Sequence, residues 1–280
     1  GLVALVAWFT FAAHLAGIAA FQPSNLDQLL VSANTVAATL TNFYIWMAIV
    51  VLSTAGALGV AGWQASSGRV TGRARGGANM SPLAILAYLV LPVLVIVLSI
   101  TLNLQNIQAD IVYKTGLQFD DAGQPQAAIP LFKRALELAK GEDYYYLFLG
   151  RSYLNATNQQ TDPAQRDSLL AEAESQLEEA RKLNPLNTDH TANLARLNRR
   201  WAELSTDPTI KAQHAQASNM YYSQAVMLSP HNAGLWNEWA ALEFQVDGDL
   251  ISAQTHLDQS FKIHHQFDQT YLLQGDLFAT

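Results

Sequence analysis

The sequence predicts an all-α fold: three transmembrane helices in the first hundred residues, then a solenoid of paired helices. Three observations predict it. The segment from Gly1 to Leu104 carries only four formal charges, on Asp27, Arg69, Arg73 and Arg75. Within it lie three uncharged apolar stretches, each long enough to cross a hydrocarbon core of ~30 Å at a rise of ~1.5 Å per residue. In the second half, small and large apolar residues recur at a helical-repeat spacing of about 34 residues.

The first expected span covers residues 2–21. A secretory signal would begin with a basic region and end at a small-residue cleavage site. This chain opens on Gly1 without a Met and is apolar at once, which reads as the interior of a longer or trimmed polypeptide. The second span falls within 41–63 and the third within 83–104, where Pro92 removes a backbone donor and predicts a kink. Every basic residue of this half sits in the loop holding Arg69, Arg73 and Arg75. By the positive-inside rule that loop is cytoplasmic, residues 22–40 form an outer loop or re-entrant segment, and the later repeats are extracytoplasmic. The expected location is therefore a multi-pass bacterial cell-membrane protein in contact with membrane lipid. His14 is the ionisable side chain inside a span, and Asn42 or Thr39 on the second span would satisfy a neutral imidazole by hydrogen bonding.

The second half, residues 105–280, holds 13 basic and 22 acidic side chains. That balance argues against nucleic acid, which needs a basic stripe. The chain has no Cys, so disulfides and thiolate metal sites are excluded. His264 and His265 are adjacent, and His256 stands eight residues before the first of them, so no metal site is expected. Gly76-Gly77 lacks the Lys and Ser or Thr of a phosphate loop. No cofactor and no catalytic residue is assigned.

The repeats run at about 109–142, 143–187, 188–232 and 233–267, with a partial one at 268–280. The first shows Gly116, Phe119, Gly123, Ala128, Phe132, Ala135 and Leu138. Leu149, Gly150, Tyr153, Ala173, Leu177, Ala180 and Pro185 continue the pattern, followed by Leu194, Ala195, Ala217, Tyr222, Ala225, Leu228 and Pro230. Trp236, Trp239, Ala240, Gly248, Ala253, Leu257, Ser260 and Ile263 make the fourth; Tyr271, Gly275 and Phe278 open a fifth whose second helix is missing. Small residues where helices cross and large ones in the gaps are the mark of a tetratricopeptide-repeat (TPR) unit.

The second and third repeats share the helix start Thr-Asp-Pro, at Thr161-Asp162-Pro163 and Thr206-Asp207-Pro208, with Asp placed to cap and Pro at the first helical position. Each is 11 residues longer than the first repeat between equivalent positions. Eleven residues make about three helical turns, so the apolar stripe returns to the same face and the second helix and its preceding loop can lengthen. Glu172, Glu174, Glu178 and Glu179 then form either a solvated extension or a second contact surface.

First-helix residues line the inner groove of such an array. Here they include Tyr113, Tyr144, Leu147, Arg151, Ala192, Arg196, Arg199, Arg200, Asn237 and Phe244. Arg196, Arg199 and Arg200 form a basic cluster in an acidic region. Guanidinium forks match carboxylates, so the cluster would hold a partner's carboxylate or an acidic glycan, or pair with nearby glutamates. Trp236 and Trp239 occupy core repeat positions and read as packing residues rather than a sugar-stacking platform. A protein partner bound through the groove is the expectation.

Three passages carry a resemblance: Asn106-Ile107-Gln108-Ala109-Asp110, Lys114-Thr115-Gly116, and the run from Asp143-Tyr144-Tyr145-Tyr146 to Gly150-Arg151. Together with the order of three spans, a short basic loop and outward repeats, they resemble the junction in bacterial O-antigen ligase or polymerase proteins with C-terminal TPR repeats. The resemblance implies a role in surface-polysaccharide assembly and a lipid-linked glycan as a further partner. The family's catalytic Arg and His residues lie in earlier segments and match no position here. The chain would then be the non-catalytic C-terminal part of a glycan-transferring enzyme. An anchored interaction module and an accessory subunit of a larger membrane complex are the alternatives.

Overall fold

The computed structural model describes residues 105–279, together with nine positions between Val31 and Gly56. All nine positions are helical; the hydroxyls of Thr35 and Ser53 donate to the carbonyls of Val31 and Ile49, one turn earlier, at 2.7 and 2.6 Å. The spans expected at 2–21 and 83–104, most of 41–63, His14 and the Arg69 to Arg75 loop lie outside the described residues. Among the described residues no helix is long and apolar enough to cross a membrane. The two helices of 21 residues have the length, but one is interleaved with Arg166, Asp167, Glu172 and Glu174 and the other with Lys211, Gln213 and His214. The expected fold class is corrected accordingly: the structure is an all-helical array of paired helices, and three transmembrane helices are not supported.

Two compact units divide the chain, Gly1–Thr115 and Gly116–Thr280. The helix Gln105–Asp121 (α1) contributes its last turns to the second unit, which continues with α2 (Pro125–Leu138), α3 (Asp143–Ala156), α4 (Pro163–Leu183) and α5 (Thr188–Leu204). There follow α6 (Pro208–Leu228), α7 (Ala233–Leu242), a π turn at Glu243–Asp247, α8 (Leu250–Ile263) and α9 (Asp268–Phe278). The closest-packed pairs are α5 with α6, α3 with α4, and α7 with α8; each pair then meets the next through its neighbouring helix.

Four-residue turns separate the pairs, at 139–142, 184–187, 229–232 and 264–267. Each begins in the same way. The residue after the second helix leaves helical geometry at φ between −137° and −144°, and its N–H still bonds to the carbonyl four residues back, as Ala139 does to Ala135 and Asn184 to Ala180. Asn187 and Asn232 end two of these turns by capping the next helix, accepting from the N–H of Asp189 and Gly234.

The turn inside a pair comes in two kinds. Gly123 and Gly248 sit at φ of 71° and 72°, a left-handed conformation that glycine adopts without a Cβ penalty, and the second helices that follow have 14 residues. The middle pairs instead use Asp162 and Asp207. Both carboxylates cap α4 and α6 by accepting from the N–H of Ala164 and Thr209 at 3.1 and 2.7 Å, with Pro163 and Pro208 at the first helical position. Those helices have 21 residues, about two turns longer than α2 and α8; the Thr-Asp-Pro start is found at both, but the second helix takes up only part of the extra sequence length.

The core repeats a small, large, small pattern along every second helix: Ala128, Phe132 and Ala135; Ala173, Leu177 and Ala180; Ser218, Tyr222 and Ala225; Ala253, Leu257 and Ser260. All twelve are essentially inaccessible. Against them the first helix presents a small residue. A Cβ built on Gly150 would lie 2.7 Å from Leu177 Cγ, and one on Gly116 2.8 Å from Phe132, so only glycine lets these helices approach so closely. In the third pair Ser218 replaces an alanine, and its hydroxyl donates to the Ala195 carbonyl at 2.8 Å.

Candidate functional site

The first helices bring a line of charged residues together. On α3, Arg151 lies with its guanidinium 4.3 Å from the Phe148 ring centroid and donates from Nε and Nη2 to Asp120 Oδ2 at 2.9 and 2.6 Å. Asp120 is almost wholly buried at the end of α1. Its second oxygen accepts from Ser152 Oγ at 2.7 Å and Asn155 Nδ2 at 3.4 Å, so all the donors around this carboxylate come from α3. Arg151 thus locks two first helices together.

The three arginines of α5 are also committed. Arg196 forms a two-pronged pair with Glu238 of α7 at 2.7 and 2.8 Å. Burial opposes the charge on Arg196, yet the Glu238 carboxylate outweighs it and raises the guanidinium pKa further. Arg199 donates to Glu203 at 2.9 Å and to Gln245 in the π turn at 2.6 Å. Arg200 donates to Glu203 at 3.3 Å and to Asn158, in the turn after α3, at 2.9 Å. Together with Glu203, Glu238 and Tyr222 these arginines line a concavity of about 300 Å³. Tyr222 beneath it is buried, and that burial, with Glu238 close by, pushes its phenol well above the usual range.

The remaining groove residues divide by depth. Tyr144 is half exposed, edge-on to His190 with ring centroids 6.1 Å apart. Tyr113 is partly buried on α1. Leu147, Ala192 and Asn237 are buried. Asn237 exchanges hydrogen bonds with Thr270 at 3.0 and 3.2 Å, and Thr270 meets Ser260 at 3.0 Å. This places Asn237 in the interior rather than on a groove wall, because its position faces the next first helix, α9. Phe244 packs against the core of α7 and α8.

Two aromatic and histidine stacks lie beside this line. His256 stacks on Trp239 at 4.0 Å and its Nδ1–H donates to Glu243 Oε2 at 2.7 Å; Trp239 Nε1 donates to Asn219 at 2.7 Å. Trp236 and Trp239 pack against Ala192, Ala225, Val226 and Leu235, which is the packing role their repeat positions predict. His214 stacks on Trp201 at 4.2 Å, and burial lowers its pKa below the ordinary histidine value despite the nearby Asp167. At the start of α3, Asp143 Oδ2 accepts from the fully buried His190 Nε2 at 2.7 Å. Burial would raise the Asp143 pKa, but hydrogen bonds from His190, Asn184 and Asn187 hold it below the usual carboxylate value.

Pairing of the α5 arginines with nearby glutamates, one of the two expectations for the cluster, is what the structure shows. Glu203 was signalled by lying four and three residues after Arg199 and Arg200 on one helix face. Asp120 and Glu238 lie 31 and 42 residues from their arginines, in neighbouring repeats, so no local spacing signals them. Among the described residues no group of three His, Asp or Glu side chains is arranged to hold a metal ion. Chemically, the line is a set of four guanidinium donors held by the carboxylates of Asp120, Glu203 and Glu238.

Similarity to solved structures fixes the class. A thermophilic TPR protein from Thermus thermophilus superposes with a TM-score of 0.52 at 15% identity, covering 71% of this chain and 94% of its own. MamA from Desulfovibrio magneticus RS-1 gives 0.45 at 14% identity over 57% of this chain and 77% of its own. YrrB, a TPR protein with an unusual peptide-binding site, gives 0.31 at 13% identity over 63% and 96%. The first of these carries the fold assignment; the other two are too distant in shape to add to it. No protein-family model and no curated protein sequence matches the chain. The second half of this chain is a TPR-type array of helix pairs.

Proposed function

We propose that the chain is a TPR scaffold that binds a protein partner along the exposed edge of α3, α5 and α7, and that the α5 arginines are its charged anchor. The concavity lined by Arg196, Arg199 and Arg200 carries this reading. Arg199 and Arg200 keep part of their side chains accessible, at 22% and 34%. A guanidinium has five donors, and each of these two commits two of them to the neighbours named above. The uncommitted donors are available to an incoming carboxylate or main-chain carbonyl. Arg196, held by Glu238, serves as a fixed wall. Tyr144 and Arg151 extend the same edge toward α1.

Screening random acidic octapeptides against the intact chain tests this reading. Selected peptides should bind at least tenfold more weakly to the Arg199→Ala/Arg200→Ala double variant, with binding that weakens as salt rises. Equal binding to both proteins would return the arginines to a purely structural role. The resemblance to O-antigen ligase and polymerase proteins supports a second occupant of the same concavity, the carboxylate of an acidic glycan, with the chain serving as a non-catalytic part. Competition between an acidic oligosaccharide and the selected peptide separates the two.

A further inference from the structure

The arginines of α3 and α5 divide by what holds Nη2. A guanidinium grips a carboxylate along an edge of two nitrogens, and Nη2 belongs to both such edges, with Nε on the side and with Nη1 at the end. In the completed pairs Nε and Nη2 donate to one carboxylate, that of Asp120 for Arg151 and of Glu238 for Arg196. Arg199 and Arg200 depart from this. Their shared carboxylate, Glu203, takes Arg199 Nε and Arg200 Nη1, and Nη2 of each is left to a neutral amide. Gln245 Oε1, from the π turn, accepts from Arg199 at 2.6 Å, and Asn158 Oδ1, from the turn after α3, accepts from Arg200 at 2.9 Å. Both amides are exposed, and neither makes another hydrogen bond among the described residues.

We propose, resting on the reading of these arginines as a partner's anchor, that Gln245 and Asn158 are placeholders that make the concavity select one carboxylate over a main-chain carbonyl. Charge decides between the two ligands. Three guanidinium groups line the concavity against the carboxylates of Glu203 and Glu238, so one positive charge stays uncompensated there. The amides satisfy the donors without cancelling that charge. A main-chain carbonyl is itself an amide oxygen, so displacing Gln245 or Asn158 exchanges like for like and gains no coulombic attraction. An ionised carboxylate gains it. A second carboxylate would exceed the available charge and face Glu203 and Glu238 at close range. The exchange needs only side-chain rotation. The π turn that carries Gln245 is tied down independently, through Glu243 to His256 and through Asp247 to Asn219, so its backbone keeps its place when the amide swings away.

Acetate and acetamide, alike in shape and different in charge, are the probes, titrated into the intact chain at constant ionic strength. The side-chain amide NMR signals of Gln245 and Asn158, assigned from Gln245→Ala and Asn158→Ala, report displacement. Acetate should shift them saturably and acetamide should not. Read on the Asn158 signal, Gln245→Ala should bind acetate about threefold more tightly, because the competing oxygen is gone. Gln245→Glu puts a resident carboxylate beside Arg199 and should bind acetate about tenfold more weakly. Both substitutions are at an exposed side chain, so helical circular dichroism should be unchanged and a loss of binding is not a loss of fold. Equal or weaker acetate binding by Gln245→Ala, undiminished binding by Gln245→Glu, or equal shifts with acetamide would each overturn the proposal. The anchor reading survives those results when Arg199→Ala/Arg200→Ala abolishes the acetate shifts. Undiminished acetate binding by that double variant, or no saturable shift in the unaltered chain, would overturn both.

Discussion

Helices α3 and α9 present the same glycine position to opposite fates. In α3 the glycine is sealed under Leu177, the arginine after it pairs with a buried aspartate, and the helix sits between two others. In α9 the glycine faces open space and the next residue is the exposed Asp276. The comparison teaches that a repeat position does not fix a role. A glycine in this register is a packing requirement where a second helix is present and a notch where one is not.

The largest expected effect falls on the filled side. Asp120→Ala removes the acceptor of Arg151, Ser152 and Asn155 together, leaving the inaccessible Ser152 hydroxyl unpaired and the Arg151 guanidinium with a 3.5 Å contact to Asp121. Losses of this kind cost on the order of 3 kcal/mol. Urea denaturation measures it, and Asp276→Ala on α9 should leave the midpoint unchanged. Equal effects at the two positions would break the comparison.

A smaller effect follows from His214, which burial holds below the ordinary histidine pKa. With the folded pKa lowered, the unfolded chain binds more protons in the interval between the two values. Stability from this site is therefore complete above the unfolded value of about 6.5 and declines as pH falls from there toward the folded pKa. His214→Phe keeps a ring against Trp201 and removes the titration, so its melting temperature should depend less on pH below about 6.5 than that of the unaltered chain. A parallel pH dependence would assign the decline to other groups.

Much of this arrangement was legible in the sequence. Thr-Asp-Pro announced both long second helices, because an aspartate cap followed by proline satisfies helix-start chemistry whatever the surroundings. The small and large residues announced helix pairs because close crossing demands them. Trp236 and Trp239 were read correctly as packing residues for the same reason. What failed were inferences in which the surroundings decide. Apolar length was read as three membrane spans, and no described helix supports that reading. Asn237 was placed on the groove from its offset alone, yet that offset is closed by the following first helix, where Thr270 supplies partners. Pairing of the α5 arginines with glutamates was expected and Glu203 provides it, but the distant partners Glu238 and Asp120 were not legible, since they reach their arginines only through folding. The π turn at Glu243–Asp247, which brings Gln245 to Arg199, is signalled by no local spacing in the sequence.

The central claim is that α9 is a first helix of the same series as α3, with no second helix over Gly275 among the described residues, and paired alanine substitutions test it most directly. Gly150→Ala drives a methyl to 2.7 Å from Leu177 and 3.1 Å from the Ala173 carbonyl, and overpacking of this kind costs about 1–3 kcal/mol. Gly275→Ala meets no neighbour and gains helix propensity of up to about 1 kcal/mol. Thermal denaturation of the intact chain should show the first variant melting lower and the second level or higher. Equal destabilisation by both would contradict the claim, since it would mean that Gly275 is already covered.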